Sequence, residues 1–432
     1  MAADDNAVAD DLLQFIDAAP SPWHAAAIMA TQLESLGFQE LSEADAWNVE
    51  PGGSYFVRRG GASLIAFRIG TDPAASGLRV IGAHTDSPGF RIRPVPVGGD
   101  DGLAKASVEI YGGPIVATFA DRDLTVAGVV WRHDDAGTVV PHLYSEDQPL
   151  LRLPNLAIHL NRGVNEDGLK FQLQDQLNLV LGDVSASTGM NRGLPEFLAE
   201  RLGVDHESIA GWELAVADTQ PGARFGWDGE YIANSQLDNL ASCHAGLYAL
   251  VSQAPREGIS VLACFDHEEV GSESHRGAGG SFLSDTLERV LAATDAHANR
   301  HRMFARSWLI SADMAHAWNP NFPQAYDFAH APRVNGGPVV KVNAKQRYAT
   351  DAEGEAYFRA ACARAGVPVQ RYVHRNDLPC GSTIGPISAS RLGIRTVDVG
   401  SAMWAMHSVR ESGGARDPGY LVRAFQACFA EI

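Results

Sequence analysis

Apolar runs recur along this chain, and several of them end abruptly in polar residues. The segments ASLIAFRIG (62–70) and LRVIGAHTD (78–86) are β-rich and punctuated by glycine and proline, which suits buried strands. Ahead of them, SPWHAAAIMATQLESLGF carries apolar residues at helical spacing and opens with Ser21-Pro22, a cap followed by proline in the first turn. One or two helices are therefore predicted before the first strand. From about Arg93 the texture changes: ASVEIYGG, LTVAGVVWR and GWELAVAD alternate in the β manner, separated by turn-rich stretches such as VPVGGDDG and HDDAGT. From ANSQLDNLASCHAGLYALVSQA onward, helical patterns alternate with the apolar runs GISVLACF, RSWLISAD and GIRTVDVG. That alternation predicts an α/β layered domain with a largely parallel sheet. Its early strands precede the β-rich stretch and its later ones follow, so the expected organisation is a discontinuous α/β domain, residues 1–92 and 229–432, interrupted by a β-rich insertion, residues 93–228.

Length and charge narrow the function classes. A chain of 432 residues exceeds what one core usually serves, in keeping with two domains. The formal net charge of −18, from 52 acidic against 34 basic residues, excludes nucleic acid as a partner, because phosphate binding needs a basic footprint. An acidic field also repels anionic substrates, so an acidic substrate requires a local basic pocket. The start, MAADDNAVADDLLQFIDAAP, has neither a cationic segment nor a signal-length apolar one, and no uncharged apolar run reaches membrane-spanning length. The five cysteines include no C-x-x-C pair and are expected to be reduced core residues of a cytoplasmic protein.

The chemistry-bearing residues fall at strand ends. RVIGA runs into His84-Thr85-Asp86, VLACF into Asp266-His267-Glu268-Glu269, WLISA into Asp313-Met314-Ala315-His316, and TVDVGSAMWAM leads to His407. Ligand sites of open α/β sheets lie beyond the carboxyl ends of the strands. Singly, each residue has an ordinary reading: a hydrogen-bonded structural histidine, a helix cap at Asp238, a solvated turn at Glu268 and Glu269. Repeated at several strand ends, the choice points to a site. Two histidines with several carboxylates and no cysteine suit Zn²⁺, Mn²⁺ or Co²⁺, and one carboxylate can bridge two cations roughly 3.5–4 Å apart. Successive side chains of an extended strand diverge, so Glu268 and Glu269 can serve one site only if the chain turns between strand and carboxylates. A turn there allows Glu269 to be a ligand and Glu268 a proton carrier. HEEVG lacks the second histidine of an H-E-x-x-H helix, and no G-x-S-x-G, P-loop or G-x-G-x-x-G motif is present.

At these residues the chain resembles the aspartyl aminopeptidases of the M18 metallopeptidase family. The resemblance is carried by GAHTDSPGFRI (82–92), YGG…DRDLTVAG (111–128), LPNLAIHLNR (153–162), QLDNLAS (236–242), FDHEEVGSES (265–274), SADMAHAWNPN (311–321), KVNAKQRYA (341–349), NDLPCGSTIGPISASRLGIRTVDVGS (376–401) and MHSVRE (406–411). It implies a zinc-peptidase-like α/β/α sandwich with an inserted β-rich dimerisation domain. It also implies that His84, Asp238, Glu269, Asp313 and His407 hold two divalent ions per subunit, with Asp238 bridging, most simply zinc. Glu268 is then the general base, and Asp86 the carboxylate that fixes the His84 tautomer. The implied activity is removal of an N-terminal Asp or Glu from peptides. That preference needs a cation, for which Lys345 is the first candidate, with Arg347 and Tyr348 beside it. The family pattern further implies a homo-oligomer, a dodecamer built from dimers, in which His159 of the partner subunit reaches the active site. The chain departs from eukaryotic relatives at Val116, Phe119 and Ala120, and carries Asn319 where histidine is common. The alternatives on the same metal chemistry are a deacylase, a carboxypeptidase or a peptidase of broader specificity; a catalytically silent assembly protein is disfavoured because all five ligands and Glu268 are present.

Overall fold

A computed structural model describes residues 5–94, 102–183, 193–253 and 257–431; the first four residues and most of the VPVGGDDG turn stretch lie outside the described residues. The described residues form two compact units. One comprises the chain up to Ser87, Gly222–Met406 and the stretch from Glu411 onward; the other comprises Pro88–Pro221 with the return segment His407–Arg410.

The first unit is built on a nine-stranded sheet. In spatial order its strands are Gln39–Leu41, Ser54–Arg59, Ser63–Ile69, Ile259–Phe265, Leu78–His84, Trp308–Ala312, Arg395–Gly400, Val339–Val342 and Gln370–Val373. The four central strands, from Ile259–Phe265 to Arg395–Gly400, run parallel, while Ser63–Ile69 and Val339–Val342 join them antiparallel on either side. Central strands of this kind are covered on both faces and so read as unbroken apolar runs; both Leu78–His84 and Ile259–Phe265 are buried at every position. Strand side chains alternate between faces. Ile81, Ala83, Leu262 and Cys264 pack with helices Asp5–Ala18, Pro22–Ser35, Leu237–Val251, Ala352–Arg364 and Asp417–Phe429. Their neighbours Leu78, Val80, Val261 and Ala263 pack with helices Phe282–Ala293, Arg300–Ala305 and Ile384–Leu392. The sheet is thus sandwiched between two helical layers, an α/β/α arrangement. The helix expected after Ser21 is Pro22–Ser35, with Ser21 extended as its cap and its hydroxyl oxygen 3.5 Å from the His24 N–H. No described helix is long and apolar enough to cross a membrane.

The second unit is a six-stranded antiparallel sheet ordered Val139–Ser145, Leu124–His133, Ile209–Asp218, Gly89–Ile92, Leu103–Tyr111 and Asn178–Asp183. Alternate residues of these strands, among them Phe90, Val108, Leu124, Val126 and Leu214, form its core with Leu194 and Leu198 from the helix Leu194–Leu202.

Candidate metal centre

His84 is the last residue of its strand and stands level with Phe265 on the neighbouring one, and the chain leaves Trp308–Ala312 directly into Asp313. Beyond Phe265 the backbone reverses. His267 adopts a left-handed conformation (φ 64°), Glu268–Val270 form a single 3-10 turn, and Gly271 follows at φ 98°. This reversal removes the divergence of an extended chain, and the ligand atoms of His84, Glu268 and Glu269 all lie within 4.8 Å of one another. Asp86 secures the turn: its two carboxylate oxygens accept the N–H groups of Glu268 and Glu269, each at 3.1 Å.

The His84 ring is buried and oriented by its other nitrogen. Nδ1 lies 3.0 Å from the Asp86 carbonyl oxygen and 3.4 Å from its carboxylate. Donation from Nδ1–H leaves the Nε2 lone pair directed at the cluster. Nε2 is 3.5 Å from Asp238 Oδ1, 3.6 Å from Asp313 Oδ1 and 4.0 Å from Glu268 Oε2. Asp86 thus meets Nδ1 with its carbonyl, the nearer acceptor, and with its carboxylate, whose two oxygens also take the glutamate N–H groups.

The carboxylates are fixed just as closely. Asp238 sits in the first turn of Leu237–Val251 with non-helical dihedrals (φ −84°, ψ 103°). Its N–H donates to the buried Glu411 Oε2 at 3.0 Å, and its carbonyl accepts the Ser87 hydroxyl at 2.6 Å. Asn239 Nδ2 donates to the Ala312 carbonyl at 2.8 Å, tying this helix to the strand that delivers Asp313. Asp313 Oδ2 accepts from Lys341 Nζ at 3.2 Å, which turns Oδ1 toward His84. Lys341 is 2% exposed and also donates to the Met314 carbonyl; its ammonium stands 5.1 Å from the Tyr348 ring.

Electrostatics make this a site for positive charge. Burial and then the carboxylates of Asp313, Asp86 and Asp238 raise the Glu268 pKa to about 8, against the pull of His84. Burial and Asp238 hold Glu269 well above the usual carboxylate range. Burial acts to lower His84, yet Asp238, Asp313 and Asp86 outweigh it and raise its pKa well above the ordinary imidazole value. One imidazole and four carboxylates, with no thiolate, form a hard nitrogen and oxygen donor set whose own repulsion a divalent cation relieves. The residues therefore fit a metal ion.

His407 opens the return segment of the second unit, in a left-handed conformation (φ 68°), with Nδ1 3.0 Å from the Gly113 carbonyl oxygen. His159 is exposed in the same unit. Lys345 is exposed in a turn, where its N–H donates to Asn343 Oδ1. Tyr348 is buried against Lys341. Lys341 and Glu411 went unmarked in the sequence reading; both belong to quoted motifs, KVNAKQRYA and MHSVRE, and a charged residue flanked by apolar strand positions was the signal for Lys341.

Comparison with known proteins bears on this centre directly. The family model for the aminopeptidase I zinc metalloproteases (M18) matches residues 15–429. The chain belongs to the M18 family of aminopeptidases. A probable M18 family aminopeptidase 2 of Azotobacter vinelandii is 46% identical over 426 residues, covering 97% of each chain. Among solved structures, that of the Ape4 and Nbr1 complex superposes with a TM-score of 0.95 at 36% identity, over 98% of this chain and 86% of that one. The S. cerevesiae mApe1 dodecamer superposes with a TM-score of 0.85 at 27% identity, over 99% and 98%. As an M18 aminopeptidase the protein is a metal-dependent peptidase, and the cluster at the strand ends is its candidate metal centre.

Proposed function

We propose that this M18 aminopeptidase removes N-terminal Asp or Glu from peptides with a free amino terminus, using two divalent cations. The observation that carries the reading is the convergence of His84, Asp238, Glu268, Glu269 and Asp313 at the carboxyl ends of adjacent parallel strands. In this reading His84, Asp238, Glu269, Asp313 and His407 are the ligands, Asp238 is shared between the two ions, and zinc is the preferred metal, with manganese and cobalt compatible with the same donors. His407 enters on its motif. When bound, the ions supply a water acidic enough to lose its proton near neutral pH and positive charge for the carbonyl oxygen.

The chain's own residues do the rest. Glu268 takes the proton from the attacking water and later delivers it to the departing amine. Asp86 keeps Glu268 and Glu269 in place through their N–H groups and orients His84. For the acidic side chain of the substrate, burial beside Asp313 supports Lys341 over Lys345 as the counter-charge, with Tyr348 lining the same place. We extend to this chain the oligomeric assembly of the mApe1 neighbour, which is a dodecamer, with dimers formed through the β-rich unit and His159 of the partner subunit completing the substrate site. The five cysteines are free thiols, which supports a reducing, cytoplasmic setting.

The test is hydrolysis of matched peptides beginning with Asp, Glu or Leu, with an N-acetylated Asp control, before and after chelation. Fast, chelator-sensitive release from free acidic termini is the expected result. Equal cleavage of Leu peptides or of the blocked control overturns the substrate assignment while leaving the metal chemistry in place.

A further inference from the structure

Behind the turn that carries Glu268 and Glu269 lies a polar cluster with no part in the reaction described above. The carboxylate of Asp266 is 1% exposed and the Arg276 side chain 8%, with Oδ2 3.2 Å from Nε. Asp266 Oδ1 accepts the His267 N–H at 2.9 Å. Arg276 Nη2 stands 3.0 Å from His267 Nε2, and His267 Nδ1 meets the Ser274 hydroxyl at 2.7 Å. Ser63, at the start of the adjacent strand, joins the two ends: its hydroxyl accepts the Asp266 N–H at 2.9 Å and donates to the Arg276 carbonyl at 2.8 Å. The guanidinium lies over the Trp23 ring at 5.4 Å, and its stem fills the space beside Gly60, where a Cβ would come within 2.4 Å of Arg276 Cδ. A glycine at 60 is what lets the arginine reach inward.

A buried ion pair gains little net stability over apolar side chains of the same shape, because desolvation offsets the attraction. What this one does is geometric. It closes the loop from 266 to 276 into a fixed frame, and His267, whose left-handed backbone starts the reversal, is held on both sides of its ring. We propose that Arg276 is a positioning residue for the reaction: through Asp266 and His267 it sets the direction in which Glu268 and Glu269 leave the turn. The inference rests on the reading of Glu268 as proton carrier and Glu269 as ligand. The Asp86 contacts restrain Glu268 and Glu269 directly, so the turn is held at His267 by Arg276 and at the two glutamates by Asp86.

The experiment compares the metal-loaded full-length enzyme with R276Q, D266N/R276Q and E268Q, measuring kcat and KM separately, metal affinity by chelator competition, and thermal unfolding. For R276Q, kcat is expected to fall by roughly 10- to 100-fold, with metal affinity weakened to a comparable extent and KM changed less than about threefold. The double variant removes the unpaired carboxylate charge along with the arginine. It is expected to regain the melting temperature of the parent but not its kcat, a split that charge compensation alone does not produce. Recovery of parental kcat in the double variant, or unchanged kcat and metal affinity in R276Q, overturns the proposal. If R276Q fails to fold, the double variant decides alone. E268Q separates the two levels: an active E268Q defeats the assignment of Glu268 and the positioning role with it, whereas an inactive E268Q beside a fully active R276Q defeats the positioning role only.

Discussion

Replacing Asp86 by Asn tests how far the centre depends on a residue that is not itself a proposed ligand. Asp86 is fully buried, and each of its carboxylate oxygens receives one backbone N–H, from Glu268 and from Glu269. In Asn one of those oxygens becomes an NH₂ group. One charge-assisted hydrogen bond is lost, about 1.5–3 kcal/mol, and a buried N–H is left facing another donor, about 1–3 kcal/mol more. The two effects total about 2.5–6 kcal/mol, shared between global stability and the placement of the glutamates. If even a third of that falls on the transition state, kcat drops by about 4- to 30-fold, since each 1.36 kcal/mol is tenfold. The assay is steady-state hydrolysis of an acidic-terminus peptide by metal-saturated D86N, with thermal unfolding in parallel. Rates lowered by at least fourfold together with a lower melting temperature are expected. A variant with parental kcat and parental melting temperature refutes the claim that these two hydrogen bonds hold the turn.

Other consequences are measurable. E268Q should bind metal as the parent does yet lose at least about 100-fold in kcat, in the range for a removed general base; metal content and rate are read on the same sample. K341M should lower kcat/KM for Asp peptides at least about tenfold more than for Leu peptides, because its loss removes a buried charge from beside Asp313; a uniform loss across peptides disproves the recognition role. Burial depresses the His24 pKa to about 4 from 6.5. The neutral ring is thus favoured in the fold, so its contribution, up to about 3 kcal/mol, is complete above pH 6.5 and is lost as pH falls toward 4. H24Q should accordingly show a shallower decline in melting temperature over that window than the parent. Chelation should also lower the melting temperature, by an amount that returns with added metal, as expected for a ligand of the native state alone.

The sheet was legible because its central strands are buried on both faces, so runs such as VLACF stand out against the polar residues that end them. The candidate site residues at 84, 268, 269 and 313 could be read for the same reason: polarity arises where a strand leaves the core. What the linear pattern concealed is whatever depends on contacts between distant segments. Lys341 lies in an apolar strand, and only the packing of that strand near Asp313 shows that its ammonium is buried rather than solvated. Glu411 supports Asp238 across more than half of the first unit's sequence, and nothing in its own motif, MHSVRE, shows which residue it supports. Lys345 attracted the role of substrate cation by position in a motif, while the fold leaves it exposed in a turn. Asp86 was recognised as a partner of His84, but its shared grip on two N–H groups requires knowing that the turn at 268 returns to it.

The strand order also has a temporal meaning. Val80, on the strand that ends in His84, lies between Val261 and Leu309 in the sheet. A chain still being synthesised therefore carries the first of the candidate ligands long before the strands that flank it exist, and pairings so distant in sequence are slow to close. Hydrolytic competence arises late, when most of the polypeptide has been made and the long-range pairings have formed. An incomplete chain is thereby kept from acting as a peptidase on its neighbours.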